Sequence, residues 1–406
     1  MKIWIKLFIG SIIGLVAGFL IPVQSQGFFD SLSGLLLGIG RYVLFPFIFF
    51  SLGIGTSELV QEKRLLRVYL SAFKYLALSA ALLIVIGTLS VLVFPPERIP
   101  ITIEADRAFV PVGVLEGLKV IFPRNLFNVF FGSGDFLLPL MILAFLLGVN
   151  MDFDRQVTRP VAQMFDSLSR IFYHLNSLIV ELFAIALIVI AAARVSHLSH
   201  ADLGMYKQII IILAVDVGVV AFGVFPGALY VLGLKENPYR WLYASVGPAI
   251  VGLFSGDQYV SLGFLTKHGK ESLGVPRMVG SAVYPLFAVL GRAGTAMVSS
   301  VAFILILRSY SSLEITFLQT LWVMLFSFIV SFILGAAPGT GAFFSLFMLC
   351  SIYAKGLQEG YLILRNIAPL LVSFGAFIDV LSASFVSLLI AREENVWTEV
   401  ETENFI

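Results

Sequence analysis

The chain is built from long apolar segments separated by short charged or turn-forming stretches, and this pattern restricts its fold more than any other feature. The segments lie at about 3–22, 29–57, 70–95, 135–150, 171–195, 208–234, 242–266, 278–307, 317–352 and 366–391. Most are long enough for a helix to cross the roughly 30 Å hydrocarbon layer of a bilayer. Because a helix satisfies its own backbone hydrogen bonds in lipid, we predict an all-α polytopic membrane protein with about eight transmembrane helices.

Composition supports a membrane protein and excludes several other classes. The 406 residues are 59% hydrophobic and 13% charged, with a mean hydropathy of +0.98, outside the range of soluble domains. The net charge of +1 and the lack of a basic stripe argue against a nucleic-acid partner. The one cysteine, Cys350, excludes an internal disulfide and a cysteine-based metal cluster, and we expect it to be a small packing residue.

Charges between the segments predict the orientation of the chain. Basic residues are concentrated at Lys2, Lys6, Lys63, Arg64, Arg67, Arg155, Arg159, Lys235, Arg240, Lys267, His268, Lys270 and Arg277. The positive-inside rule places these residues on the cytoplasmic side of a plasma (inner) membrane, with both termini cytoplasmic. Residues 3–22 are interpreted as a retained first span rather than a signal peptide, because they are long enough to span and more spans follow.

Two apolar stretches must enter and leave the membrane on the same side. The stretch 242–266 lies between cytoplasmic loops and turns at 254–259, and 317–352 turns from outside at 335–341. We predict a re-entrant hairpin in each. The first hairpin precedes the span that carries Arg292, and the second precedes the span that carries Asp379. Opposed hairpin–span units form the inverted repeat of secondary transporters, with the binding site between them.

Arg292 is the candidate residue that points most directly to function. A charge at that depth costs roughly 3 kcal/mol or more, and Gly291 and Gly294 flank it where a helix could open. Its planar donors suit a substrate carboxylate. The alternative is a structural ion pair with Asp379 that packs the two spans together. A further hypothesis combines the two, with the guanidinium occupying the place of a transported cation.

Other polar residues have weaker claims, and two interpretations stay open for each. Asp257 either binds a substrate ammonium group or a proton, or caps the second half of its hairpin; Ser255 and Gln258 present the same choice. Asp216 and Glu181 are lone acids in apolar spans that either carry a proton or are neutral packing residues.

Metal and enzyme signals are weak. His197 and His200 have metal-like spacing but no supporting cluster. The chain has no phosphate-binding loop, zinc-protease helix or nucleophile elbow. We therefore expect no cofactor and no enzyme, only a possible coupling ion, Na⁺ or H⁺.

Several motifs together resemble the dicarboxylate/amino acid:cation symporter family, the glutamate transporter homologues. The likeness covers nearly the whole chain. The Pro-centred segment 41–52 resembles the second span of that family, and 122–127 with 138–148 resembles the beginning of its fourth. The second hairpin tip, 338–341, resembles a Pro-Gly-Gly-Gly sequence, and Gly294-Thr295 matches the end of an Asn-Met-Asp-Gly-Thr motif in the seventh span.

The resemblance implies a homotrimer that moves a small carboxylate-bearing solute, such as an amino acid or dicarboxylate, by an elevator mechanism. It implies a static scaffold (1–60 and 125–200), a mobile transport domain (61–95 and 201–392), an extracytoplasmic loop (96–124) and a cytoplasmic tail (393–406). The acidic tail is expected to be disordered.

The resemblance also implies positions for the site. Substrate-binding candidates are Ser255, Gly256, Asp257, Gln258, Arg292, Thr295, Gly339, Thr340, Gly341, Asp379 and Ser382. Ion-coupling candidates are Tyr75, Ser79, Asp216 and Asp379. For the backbone groups of 339–341, a plain tight turn is the alternative.

Departures from the family pattern concern sodium. The seventh-span motif is Gly291-Arg292-Ala293-Gly294-Thr295 here, so the family's amide and carboxylate ligands are Gly291 and Ala293. The family's two Asp positions in the eighth span fall on Val372 and Ala383, and its substrate-binding Arg falls on Gly375. Leu78 replaces a Thr in the third span. These losses argue against standard three-sodium coupling. They leave a proton-coupled or exchange carrier, or an uncoupled receptor or anion pore, as alternatives, with a purely structural protein disfavoured.

Overall fold

Every regular element in the described part of the chain is helical. The computed structural model describes residues 2–101, 109, 119, 121–131, 136–198, 200–232, 237–311, 314–334 and 341–406. The α-helices are α1 (Ile3–Leu20), α2 (Gln26–Arg41), α3 (Leu44–Gln61), α4 (Leu65–Val93), α5 (Leu138–Asn150), α6 (Arg155–Ser196), α7 (His200–Met205), α8 (Lys207–Val219), α9 (Phe225–Val231), α10 (Tyr239–Ser255), α11 (Gln258–Glu271), α12 (Arg277–Leu290), α13 (Ala293–Tyr310), α14 (Phe317–Ile333), α15 (Gly341–Tyr353) and α16 (Ala368–Glu393). Short 3₁₀ helices occur at Val23–Ser25, Leu126–Phe131, Gly360–Ile367 and Thr402–Asn404, and a π-helix at Val220–Val224 joins α8 to α9.

Seven helical stretches in the described residues are long and apolar enough to cross a membrane. They are Ile3–Leu20, Val23–Gln61, Leu65–Val93, Arg155–Ser196, Lys207–Val231, Arg277–Tyr310 and Gly360–Glu393. The segment predicted as a fourth span is the 13-residue α5, which is about 20 Å long. The spans Arg277–Tyr310 and Gly360–Glu393 are mostly enclosed by protein, whereas the others are half-buried at most. The two spans that carry Arg292 and Asp379 therefore form the centre of the molecule.

The helices pack as two groups that contact each other. The peripheral group consists of α1, α2, α3, α5 and α6, and the central group of α4, α8 and α10–α16. Ion pairs join the groups where Arg277 of α12 contacts Glu58 of α3 and Asp166 of α6. A buried lysine, Lys267, joins them again through Glu181 of α6 at 3.1 Å.

The basic segment 267–277 was predicted to be a loop on the cytoplasmic side, and the loop prediction is wrong for Lys267 and His268. Both residues are buried within α11, which continues to Glu271. Glu181, for which a neutral packing role was one interpretation, is half-exposed and forms the ion pair with Lys267. A lone charge in an apolar stretch can thus be satisfied from another helix, which a linear pattern does not reveal.

A glycine stripe brings α1 against α6. Gly10, Gly14 and Gly18 recur every four residues, and a Cβ on any of them would lie within 2.6 Å of a carbonyl oxygen of α6. Small residues at this spacing let helix backbones approach closely in lipid, where the hydrophobic effect does not drive association.

The C-terminal tail is ordered, so the expectation of disorder is wrong. Trp397 Nε1 donates to the Leu273 carbonyl at 2.7 Å, and the Arg392 guanidinium lies 4.0 Å from the indole centroid. At the end of the chain Phe405 is buried and stacks on Tyr243 of α10. Aromatic burial therefore outweighs the acidic composition of this segment.

Candidate functional site

The predicted opening of the seventh span is present. Helix α12 ends at Leu290 and α13 begins at Ala293, so Gly291 and Arg292 are outside both helices in mid-span. A Cβ on Gly291 would lie 2.6 Å from the Phe287 ring, so only glycine fits this tight exit. The break leaves the first N–H groups of α13 without partners in their own helix.

Asp379 of α16 supplies acceptors for those N–H groups. Its Oδ1 accepts from Gly294 N at 2.6 Å and from Thr295 N at 3.2 Å. Its Oδ2 accepts from Thr295 Oγ1 at 2.6 Å and from the amide nitrogen of Gln258, at the start of α11. The carboxylate therefore caps a half-helix belonging to another span, where the positive end of the helix dipole favours it. It joins the first hairpin, the break and α16 in one network.

The predicted ion pair between Arg292 and Asp379 is not formed. No described carboxylate lies within 4 Å of the Arg292 guanidinium, whose Nε has no hydrogen-bond partner in the described residues. The two buried opposite charges do not meet, because the broken helix itself supplies Asp379 with donors.

Three buried polar atoms beside this network have no hydrogen-bond partner in the described residues: Arg292 Nε, Gln258 Oε1 and Ser382 Oγ. Ser382 is three residues after Asp379 and shares its face of α16. Buried polar groups are rarely left unpaired, because each costs about 1–3 kcal/mol. A guanidinium, an amide oxygen and a hydroxyl on residues that border this network have the chemistry to bind a carboxylate together with a hydrogen-bond donor of the same small molecule.

The first hairpin tip is where it was predicted, and its residues are largely occupied by internal bonds. Asp257 caps α11, accepting from Tyr259 N at 2.9 Å and Val260 N at 3.1 Å, so its capping interpretation is confirmed. Its Oδ2 accepts from Arg41 Nε at 2.7 Å. The carboxylate thus has little capacity left for a substrate ammonium group.

Ser255 and Gly256 are held from the peripheral group. The Ser255 carbonyl accepts from the Arg194 guanidinium, which also lies against the Cα of Gly256. Gly256 has φ +59°, a left-handed conformation that glycine adopts without strain. Arg41 and Arg194 were not among the predicted site residues. The signal that could have found them is the one that revealed Arg292, a single cation within an apolar segment.

The structure brings some of the remaining candidates to the site and not others. Gly341 begins α15 with φ +66° and lies against Val372, about two turns before Asp379 on α16. Gly339 and Thr340 are outside the described residues. His197 pairs with Asp30 at 2.9 Å, and no group of three metal-ligating side chains occurs in the described part of the chain.

Two proposed ion-coupling residues are not at the site. The Tyr75 hydroxyl donates to Glu393, which is about 20 Å along α16 from Asp379, and Ser79 bonds its own helix at Leu76 O. The contacts of the helix break therefore do not include them, and their ion-coupling role stays a prediction.

The span Arg277–Tyr310 is broken near its middle, beside the tip of a helical hairpin, and polar groups at the junction are unpaired in the described residues. Secondary transporters form solute sites with discontinuous helices of this kind. The match to the sodium:dicarboxylate symporter family extends over residues 3–393, and the chain belongs to that family. Two relatives are named proton/sodium-glutamate symport protein, one from Bacillus caldotenax and one from Geobacillus stearothermophilus. Each is 18% identical to this chain over 415 residues, covering 99% of this chain and 96% of the relative.

Proposed function

We propose that the protein is a secondary active transporter that carries a small carboxylate-bearing solute, such as an amino acid or a dicarboxylate, across a bacterial-type inner membrane. The observation that carries the proposal is the Arg292 guanidinium, buried at the helix break without an anion within 4 Å in the described residues. A permanent cation in that position is stabilised by binding an anion. Its planar donors fit a carboxylate in bidentate geometry.

The neighbouring groups give the site its selectivity. Gln258 Oε1 accepts from a hydroxyl or ammonium group of the bound solute, and Ser382 Oγ donates or accepts. Asp379 is a positioning residue, because its two oxygens already accept four hydrogen bonds. The family membership and the names of the two relatives support a solute of this class.

Sodium does not fit the donor set at the break. A sodium site built on carboxylates needs free lone pairs, and the one carboxylate at the break, Asp379, has its lone pairs engaged. The seventh-span positions beside it are Gly291 and Ala293, which have no oxygen-bearing side chain. Coupling to a proton, or solute exchange, is therefore the proposed mode.

Movement follows from the two helix groups. We assign the peripheral group to a trimeric scaffold and the central group to a transport domain that moves as an elevator. In that movement the ion pairs of Arg277 and Lys267 with the peripheral group must break and re-form. The Arg277 contacts are partly exposed, where such pairs are worth about 0–1 kcal/mol each. Lys267 is buried, so its ammonium group must exchange Glu181 for another acceptor or for water as the groups move.

A second candidate function rests on a cavity between the groups. It has a volume of about 620 Å³ and is lined by apolar residues such as Phe47 and Met278, by the cations Arg170, Lys270 and Arg277 and by the acids Glu58 and Glu62. A cavity with a charged lining at the group interface is a feature that an uncoupled pore would need. Currents that depend on solute, without solute accumulation in vesicles, would establish this function instead.

The test is uptake of radiolabelled L-glutamate, L-aspartate and succinate by purified protein in proteoliposomes. Arg292→Met removes the guanidinium and should abolish uptake, and Arg292→Lys should retain part of it. Arg308→Met is the matched control, because Arg308 is on the same helix α13 in its last turn and away from the break. Equal uptake by wild type and Arg292→Met would refute the role of Arg292. Uptake that collapses without a sodium gradient but survives without a proton gradient would refute the proposed coupling.

A further inference from the structure

Asp216 is a buried carboxyl group that the solute site does not use. It lies in the last turn but one of α8, within the apolar span Lys207–Val231, and is 3% exposed. In the described residues its side chain has a single partner, the Ser90 hydroxyl of α4, with Oγ 2.7 Å from Asp216 Oδ2. An ionised carboxylate with one neutral partner in a membrane is unfavourable by several kcal/mol.

The hydrogen bonds of Ser90 distinguish the two protonation states. Ser90 Oγ is also 2.9 Å from the Gly87 carbonyl oxygen, which can only accept. A hydroxyl has one proton to donate, so it cannot donate to both Gly87 and an ionised Asp216. When Asp216 is protonated, it donates to Ser90 and Ser90 donates to Gly87, and both short contacts are hydrogen bonds. The protonated acid is therefore the state that satisfies both Ser90 contacts in full.

Ionisable groups on the elements packed against α8 do not supply a counter-charge. Among the described side chains they are Arg67, Tyr69, Lys74 and Tyr75 on α4; Arg292, Arg308 and Tyr310 at α13; Asp379, Arg392 and Glu393 on α16; and Tyr206, Lys207 and Tyr230 beside α8 itself. None pairs with Asp216 in the described residues. Those on α4 precede Ser90 by at least fifteen residues, about 22 Å along the helix. A proton is therefore the cation that can neutralise the Asp216 carboxylate.

The surroundings can respond to the loss of that proton. The π-helix Val220–Val224 begins one turn after Asp216, and its first N–H bonds to the Asp216 carbonyl. Single π-turns are frequent at functional sites because they can shift register. On the other side, Gly87, the acceptor for Ser90, packs against Met297, two residues after the Thr295 that binds Asp379.

We propose that Asp216, with Ser90, is a proton-binding site that couples solute transport to the proton gradient. This inference rests on the proposed function and adds its coupling group. The carboxylate takes up one proton from the acidic side, forming one O–H bond, and releases the same proton on the other side after the central group has moved. No electron is transferred, and no other group changes its covalent state.

The first experiment does not depend on any solute. Infrared spectra of purified wild-type protein, recorded as pH is raised, should contain a carboxylic-acid C=O band that is lost at high pH. Asp216→Asn should remove that band, whereas Glu181→Gln, the matched control on an exposed, lysine-paired acid, should leave it in place. A band unaffected by Asp216→Asn would overturn the inference, whatever the protein transports.

The second experiment measures coupling in sodium-free proteoliposomes with the membrane potential clamped at zero. With radiolabelled L-glutamate and a one-unit inward pH gradient, one coupled proton drives up to ~10-fold accumulation by wild type. Asp216→Asn should accumulate none, and Asp30→Asn, a control at an exposed carboxylate of α2, should behave as wild type. Full gradient-driven accumulation by Asp216→Asn would overturn the inference, while absence of transport by wild type for every acid tested would instead overturn the proposed function.

Discussion

Replacing Asp379 tests whether the helix break depends on a capping carboxylate from another span. In Asp379→Ala the N–H groups of Gly294 and Thr295 and the amide of Gln258 lose their acceptor, while the Thr295 hydroxyl can turn to its own helix. Each buried donor left without a partner costs about 1–3 kcal/mol, so the loss is about 3–9 kcal/mol if no water enters. Asp379→Asn keeps an oxygen for the two N–H groups, and Gln258 can turn its free Oε1 toward the new amide. Its cost is the difference between charged and neutral hydrogen bonds, about 1–3 kcal/mol.

Labelling of Cys350 provides the assay. It is the single cysteine and is fully buried, so a maleimide dye reacts only when the core opens. When opening is at equilibrium, 1.4 kcal/mol corresponds to a tenfold change in labelling rate. Asp379→Ala should therefore label at least ~100-fold faster than wild type and clearly faster than Asp379→Asn. Asp216→Asn is the matched control, and because one hydrogen bond can be remade there, its rate should change by less than about fivefold. If Asp379→Ala and Asp379→Asn both label at the wild-type rate, the capping role is refuted.

Three further contacts in the structure can be tested by substitution. Gly294→Ala places a Cβ 2.5 Å from a side-chain carbon of α16 and should lower stability by about 1–3 kcal/mol through overpacking. The loss should be visible as a smaller monodisperse fraction in size-exclusion chromatography. Gly34→Ala is the control and should be neutral, because a Cβ there meets nothing within 4 Å. Trp397→Ala removes the indole that holds the tail and should lower its local stability by about 1.4 kcal/mol. Proteolysis of the C-terminus should then be at least ~10-fold faster. An unchanged digestion pattern would contradict the ordered tail. Arg41→Gln and Asp257→Asn each break the same ion pair and should change uptake equally, whereas Asp257→Ala also removes a helix cap and should lower stability by a further ~1 kcal/mol in thermal unfolding.

The parts of the site that were predicted correctly are those with a local physical cause. A buried arginine between two glycines predicted the break at 291–292, which follows from conformational freedom and from the cost of a charge in lipid. The basic segments on both sides of 242–266 predicted a hairpin with its tip at 254–259, and the turn between α10 and α11 lies there.

The parts that were missed depend on partners distant in sequence. Lys267 is buried because α6 supplies Glu181, and Asp379 needs no arginine because the N-terminus of α13 is beside it. The tail is ordered because Trp397 and Phe405 find acceptors and aromatic surface near the first hairpin. None of these pairings has a signature in the linear pattern, since each is created by the packing of spans that are far apart in the chain.

Three buried carboxylates in the central group differ in how their charge is balanced, and the difference indicates which one can exchange a proton. Asp257 has an arginine and two N–H groups, and Asp379 has two N–H groups, a hydroxyl and an amide. Both environments donate hydrogen bonds to the ionised form and would be disrupted by protonation. Asp216 has one hydroxyl, which it shares with the Gly87 carbonyl. A proton gained or lost there changes the hydrogen bond between α4 and α8 and the Ser90–Gly87 bond within α4. It leaves the solute site intact, which is what a coupling group beside a fixed-charge binding site requires.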